Sequence, residues 1–123
     1  MSRIHPKVQE AVNDFGRAYF THKRVIHWNT VKFTGTDRKH QDMIYEICYW
    51  LYEQGIPFAT EAEFTTGYRP DIVCPTHIIP IIEVRNTETD KRTTEKFGRI
   101  PDELVGEIIY VDADQEFSEE LIL

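Results

Sequence analysis

Cysteine is scarce in this chain: Cys48 and Cys74 are the two in 123 residues, and they form no CxxC pair. That excludes a thiolate metal knuckle and a disulfide-dense scaffold. Both thiols stand in apolar surroundings and read as small core residues of a reduced protein, with a single disulfide as the alternative. Long apolar runs are missing too. None approaches the roughly 20 residues of a bilayer crossing, so no membrane partner is expected. The opening Met1-Ser2-Arg3-Ile4-His5-Pro6 is polar and no apolar leader core follows, which points to the cytoplasm. Positive charge is the third shortage: 14 Lys and Arg face 21 Asp and Glu, a net charge of −7. Proteins that grip nucleic acid through its phosphates carry a basic surface. Any such site here must be local, assisted by metal ions, or assembled by dimerisation. Repeats and low-complexity tracts are also absent.

What is present is unevenly spread. Cations gather at His22-Lys23-Arg24, at Arg38-Lys39-His40, and at Lys91, Arg92, Lys96 and Arg99. Acids gather at Asp112, Asp114, Glu116, Glu119 and Glu120. A hydrophobic content of 41% supports one domain over residues 1–123. Its parts are an N-terminal extension over 1–36, a core over 37–112 and an acidic tail over 113–123.

Val8, Val12, Phe15 and Tyr19 recur at helical spacing behind Pro6, so a helix is expected over 6–20. The β-branched and aromatic residues of 24–33 suggest a short strand or an ordered arm. A second helix follows, capped by Thr36 or Asp37, with His40, Ile44, Ile47, Cys48 and Leu51 as its apolar face and Gly55 as its stop. Strands are expected over 57–64, 71–74, 78–85 and 107–111, with a turn at Thr65-Thr66-Gly67-Tyr68. A polar helix over 87–99 joins the last two strands as a parallel crossover. The result is an α/β mixed sheet flanked by helices.

The chemistry concentrates in Arg69-Pro70-Asp71-Ile72-Val73-Cys74 and Ile78-Ile79-Pro80-Ile81-Ile82-Glu83-Val84-Arg85. Each is an apolar run carrying one carboxylate, and burying a carboxylate without partners costs several kcal/mol. Two such acids on adjacent strands suit a divalent cation that keeps waters and takes a phosphate oxygen. Alternation along a strand puts Glu83 and Arg85 on one face, so the cation can serve the same site.

Pro70-Asp71 followed by Glu83-Val84-Arg85 resembles the signature of the PD-(D/E)XK nuclease superfamily, the restriction-endonuclease-like fold. The element order over residues 39–111 matches that family's αβββαβ core. The chain resembles its small archaeal and viral members and is similar in size to compact Holliday-junction resolvases. The resemblance implies a Mg²⁺- or Mn²⁺-dependent endonuclease acting on DNA and leaving a 5′-phosphate. It implies that Asp71, Glu83 and the Val84 carbonyl hold the ion. Arg85 occupies the usual lysine position; arginine keeps its proton and cannot act as a base, so a phosphate-orienting role is expected. Some relatives move the lysine to the following helix, which makes Lys96 the candidate, with Lys91 second. Glu46 is the expected additional helix acid, with Glu61 as the alternative. Arg69, Lys39, Lys91 and Arg92 are the expected DNA contacts. A homodimer joined through the Tyr- and Trp-rich second helix is expected.

Each assignment has a plainer rival. Asp71 also suits turn chemistry, and Glu83 an internal salt bridge with Arg85 or Arg69. Glu46 and the 91–96 cations also read as solvated helix faces. His40 reads as a packing residue of the helix start. The rival for the whole chain is a catalytically degenerate member of the fold, serving as a DNA-binding, protein-interaction or virion module.

Overall fold

The computed structural model describes residues 5–22, 25–32, 37–85 and 96–123. Helix α1 spans Pro6–Tyr19 and starts where proline's fixed φ costs nothing; His5 accepts a hydrogen bond from the Lys7 N–H. Helix α2 spans Arg38–Glu53. Asp37 caps it, its carboxylate accepting from the His40 N–H at 3.2 Å. Gly55 closes it at φ +72°, a conformation that disfavours side chains.

Among the described residues four strands follow: β1 Ala59–Thr60, β2 Ile72–Val73, β3 Ile81–Arg85 and β4 Ile108–Asp112. They lie in the order β1-β2-β3-β4; the first two pairings are antiparallel and β3 runs parallel to β4. The architecture is mixed α/β. The parallel step requires a crossover, and its described part is helical at 96–97 and forms a 3-10 turn at Asp102–Leu104. The rest of the helix expected over 87–99 lies outside the described residues.

Alternation along β3 divides the core. Ile82 and Val84 join Ile72 and Val111 under the apolar face of α2, where Met43, Ile44, Ile47, Cys48 and Leu51 are buried. Ile81 joins Val73, Ala59, Phe64 and Tyr68 on the other side, with Phe15 and Tyr19 of α1 packed against them. Each fully buried aliphatic or aromatic side chain contributes about 1.5–3 kcal/mol, so the sheet is held from both faces. Both cysteines are free and buried.

The strands are shorter than the apolar text suggests. Glu61 takes φ +59°, which ends β1 after two residues and turns the chain toward an isolated bridge between Phe64 and Phe20. Ile78 and Ile79 fall in bends before β3, and Ile78 is exposed. Residues 25–32 form an arm rather than a strand. It runs past β1: the Asn29 N–H donates to the Phe58 carbonyl at 2.7 Å and the Lys32 N–H to Thr60 Oγ1 at 2.7 Å. The arm covers an edge that would otherwise present unpaired backbone. In the acidic tail a 3-10 turn spans Glu119–Leu121. Among the described residues no helix is long and apolar enough to cross a membrane.

Candidate functional site

The pairing of Ile72 with Ile82 carries Asp71 directly opposite Glu83. Each carboxylate then accepts a hydrogen bond from the other strand's backbone. The Asp71 N–H donates to Glu83 Oε1 at 2.6 Å, and the Val84 N–H donates to Asp71 Oδ2 at 2.8 Å. These are charge-assisted bonds, about twice as strong as neutral ones, and they fix both side chains. Both carboxylates are largely buried.

Two cations close the cluster. Lys96, beside the helical end of the crossover, places Nζ 3.0 Å from Glu83 Oε2, 3.1 Å from Oε1 and 3.7 Å from Asp71 Oδ1. Its ammonium therefore sits between the two acids. His40, in the first turn of α2, places Nε2 3.3 Å from Asp71 Oδ2. The cap at Asp37 sets where that turn begins, so the helix start aims the imidazole at the sheet.

The environment splits the two acids. Burial raises the Glu83 pKa, the Asp71 charge adds to the rise, and Lys96 opposes it; the result is about 7. Burial pushes Asp71 the same way, but the His40 hydrogen bond and the Lys96 charge outweigh it and hold Asp71 below its ordinary value. His40 is raised, chiefly by its hydrogen bond to Asp71. Burial alone would lower Lys96, yet Asp71 and Glu83 keep it above its ordinary value, with Glu61 adding attraction. Lys96 is thus an ammonium at neutral pH.

Tyr68 adds an unpaired group. Its hydroxyl is buried and, among the described residues, has no hydrogen-bond partner of normal geometry. Burial and the nearby Glu83 charge both push its pKa up. An orphaned donor costs about 1–3 kcal/mol, so a polar atom arriving beside Glu83 would find a ready partner.

The other described residues singled out in the sequence pair with groups other than Asp71 and Glu83. Arg85 ends β3 with its guanidinium 3.6 Å from Asp112 and 5.0 Å from the Tyr110 ring centre. Arg69 pairs with Glu63 at 3.8 Å and Lys39 with Asp114 at 3.3 Å. Glu46 is exposed on α2 and lines a shallow pocket of about 230 Å³ with Lys39, Met43 and Gln115. Lys91 and Arg92 lie outside the described residues. Sequence pattern alone makes His40 a packing residue of the helix start and Tyr68 part of a turn. The position of His40 three residues after a capping aspartate was a usable signal; Tyr68 offered none.

Among the described residues, no group of three or more His, Cys, Asp or Glu side chains is placed to hold a metal ion. A closed four-ligand zinc cage is therefore a poor fit. Asp71 and Glu83 are the two carboxylates that could ligate a hard ion such as Mg²⁺, which uses one or two carboxylates and retains waters; in the structure the Lys96 ammonium stands between them. No family model, curated protein or solved structure matches the chain.

Proposed function

We propose that this chain is a Mg²⁺- or Mn²⁺-dependent DNA endonuclease of restriction-endonuclease-like architecture, cutting phosphodiester bonds at Asp71 and Glu83. The observation that carries the reading is the convergence of Lys96 on both acids, 3.0 Å from one and 3.7 Å from the other. An ammonium from the crossover beside two carboxylates on adjacent strands is placed to stabilise charge growing on a phosphate. The order helix, three strands, crossover, parallel strand supports the same architecture.

Asp71 and Glu83 would hold the ion, with the Val84 carbonyl as a further oxygen. When bound, the ion supplies Lewis-acid polarisation of phosphate and water. His40 and the Val84 N–H fix the Asp71 carboxylate, so its free oxygen keeps one direction. Lys96 remains protonated and, once drawn off the acids, offers its charge to the phosphate oxygens. Arg85 stands at the rim, oriented by Asp112. A homodimer through exposed Tyr45, Tyr49 and Tyr52 of α2 is part of the proposal.

The test incubates the protein with Mg²⁺ or Mn²⁺ and supercoiled, linear, single-stranded and branched DNA. Cleavage of at least one substrate that disappears in Asp71→Asn and Glu83→Gln is expected. No cleavage, or cleavage undiminished in both variants, would sink the proposal. A second reading, a degenerate DNA-binding or protein-interaction module, draws on the same lysine. In place between the acids, Lys96 neutralises them without an ion.

A further inference from the structure

We infer that Tyr110, Phe97 and Arg85 form a nucleobase-stacking subsite beside the acidic pair, and that the substrate strand presents an unpaired base there. The inference rests on the nuclease reading and names the substrate class for that site.

The placement follows from the parallel pairing of β3 and β4. Tyr110 is the register partner of Glu83, and Asp112 is that of Arg85. Register partners on neighbouring strands share a face and sit about 4.8 Å apart. Tyr110 is therefore one strand spacing from a carboxylate of the cluster. Phe97 comes from the same turn as Lys96. Three planar groups thus flank the acids along one side.

Those groups are open to solvent. Tyr110 is 39% exposed and Phe97 36%. Their ring centres are 5.7 Å apart with the planes at 90°. The Arg85 guanidinium lies 5.0 Å from the Tyr110 ring centre and 3.6 Å from the Asp112 carboxylate. Large rings next to buried charged groups normally earn their position by packing; these leave over a third of their surface uncovered. A guanidinium on a tyrosine is a flat, cationic platform, and every base has a π-face that can lie on such a surface.

Stacking supplies affinity that an acidic chain does not have to draw from its charge. The net charge is −7, and Arg69 and Lys39 are tied to Glu63 and Asp114. Stacking contributes roughly tenfold to a hundredfold in affinity per base and does not need a basic surface. A base inside a duplex has both faces covered by its neighbours. A base at a flap, a gap or a single-stranded stretch has a face to offer.

The test uses oligonucleotides carrying 2-aminopurine, placed in a single strand, in an overhang or within a full duplex. Binding is followed by fluorescence in EDTA and, with rapid mixing, in Mg²⁺. Single-stranded and overhang probes should be quenched and should bind at least tenfold tighter than the duplex. Tyr110→Leu should lose the quench and roughly tenfold of that affinity. Arg85→Gln, at an exposed strand end where folding is safe, should lose part of both. Equal affinity for all three probes, unchanged binding in both variants, or no DNA binding in either buffer would overturn the subsite. Binding is scored without turnover, so a protein that discriminates among the probes yet cuts nothing refutes the nuclease reading alone.

Discussion

Replacing Lys96 by methionine keeps most of the unbranched stem, one heavy atom shorter, and removes the charge between two buried acids. Removing one partner of a buried ion pair costs about 3–5 kcal/mol, because the other charge is stranded. Lys96 is 30% exposed, so water screens part of the loss, and about 2–3 kcal/mol is expected at pH 8. The cost depends on pH in a definite direction. The Glu83 pKa is already raised from 4.5 to about 7, and Lys96 is the neighbouring charge that lowers it. Without Lys96 it rises further. A raised folded-state pKa contributes stability below the unfolded value and loses it as pH climbs through the folded one. At pH 5 the variant therefore protonates Glu83 and loses only about 1 kcal/mol. Urea unfolding in EDTA at pH 5 and pH 8, for both proteins, measures this. Equal losses at the two pH values, or a loss below about 0.5 kcal/mol at pH 8, would refute an ammonium neutralising these acids.

Two further substitutions test the surrounding shell. Tyr68→Phe removes a buried hydroxyl that has no hydrogen-bond partner of normal geometry among the described residues, so stability in urea should stay level or rise by up to about 1 kcal/mol; a loss of about 1 kcal/mol or more would mean the hydroxyl is hydrogen-bonded in solution. His40→Ala removes the hydrogen bond that holds the Asp71 pKa down. A depressed folded-state pKa gives stability above the unfolded value that is lost as pH falls, so acid unfolding of the variant should begin at a higher pH than in the parent. An unchanged or lower onset by circular dichroism would contradict that role.

The pair of acids was legible because carboxylates inside apolar runs need a reason, and strand pairing puts them opposite each other. Both helices were legible from periodicity, their start signals at Pro6 and Asp37, and Gly55. Strand lengths were not. Glu61 adopts a left-handed backbone without a glycine to announce it, and the isoleucines at 78 and 79 are apolar but sit in bends. Lys96 carries no local signal, since its polar stretch reads equally well as a solvated helix. His40 and Arg85 depended on tertiary placement. The angle at which α2 meets the sheet decides that His40 meets Asp71. The parallel register decides that Arg85 faces Asp112, a pairing set by a long crossover and carried by no local pattern.

Isothermal titration of Mn²⁺ into the EDTA-treated, dialysed protein asks whether Asp71 and Glu83 are a divalent-cation site. One ion per chain should bind with millimolar or tighter affinity, and binding should vanish in Asp71→Asn and in Glu83→Gln. No saturable heat in the parent protein, or the same heat in both variants, would contradict a metal site at these two carboxylates.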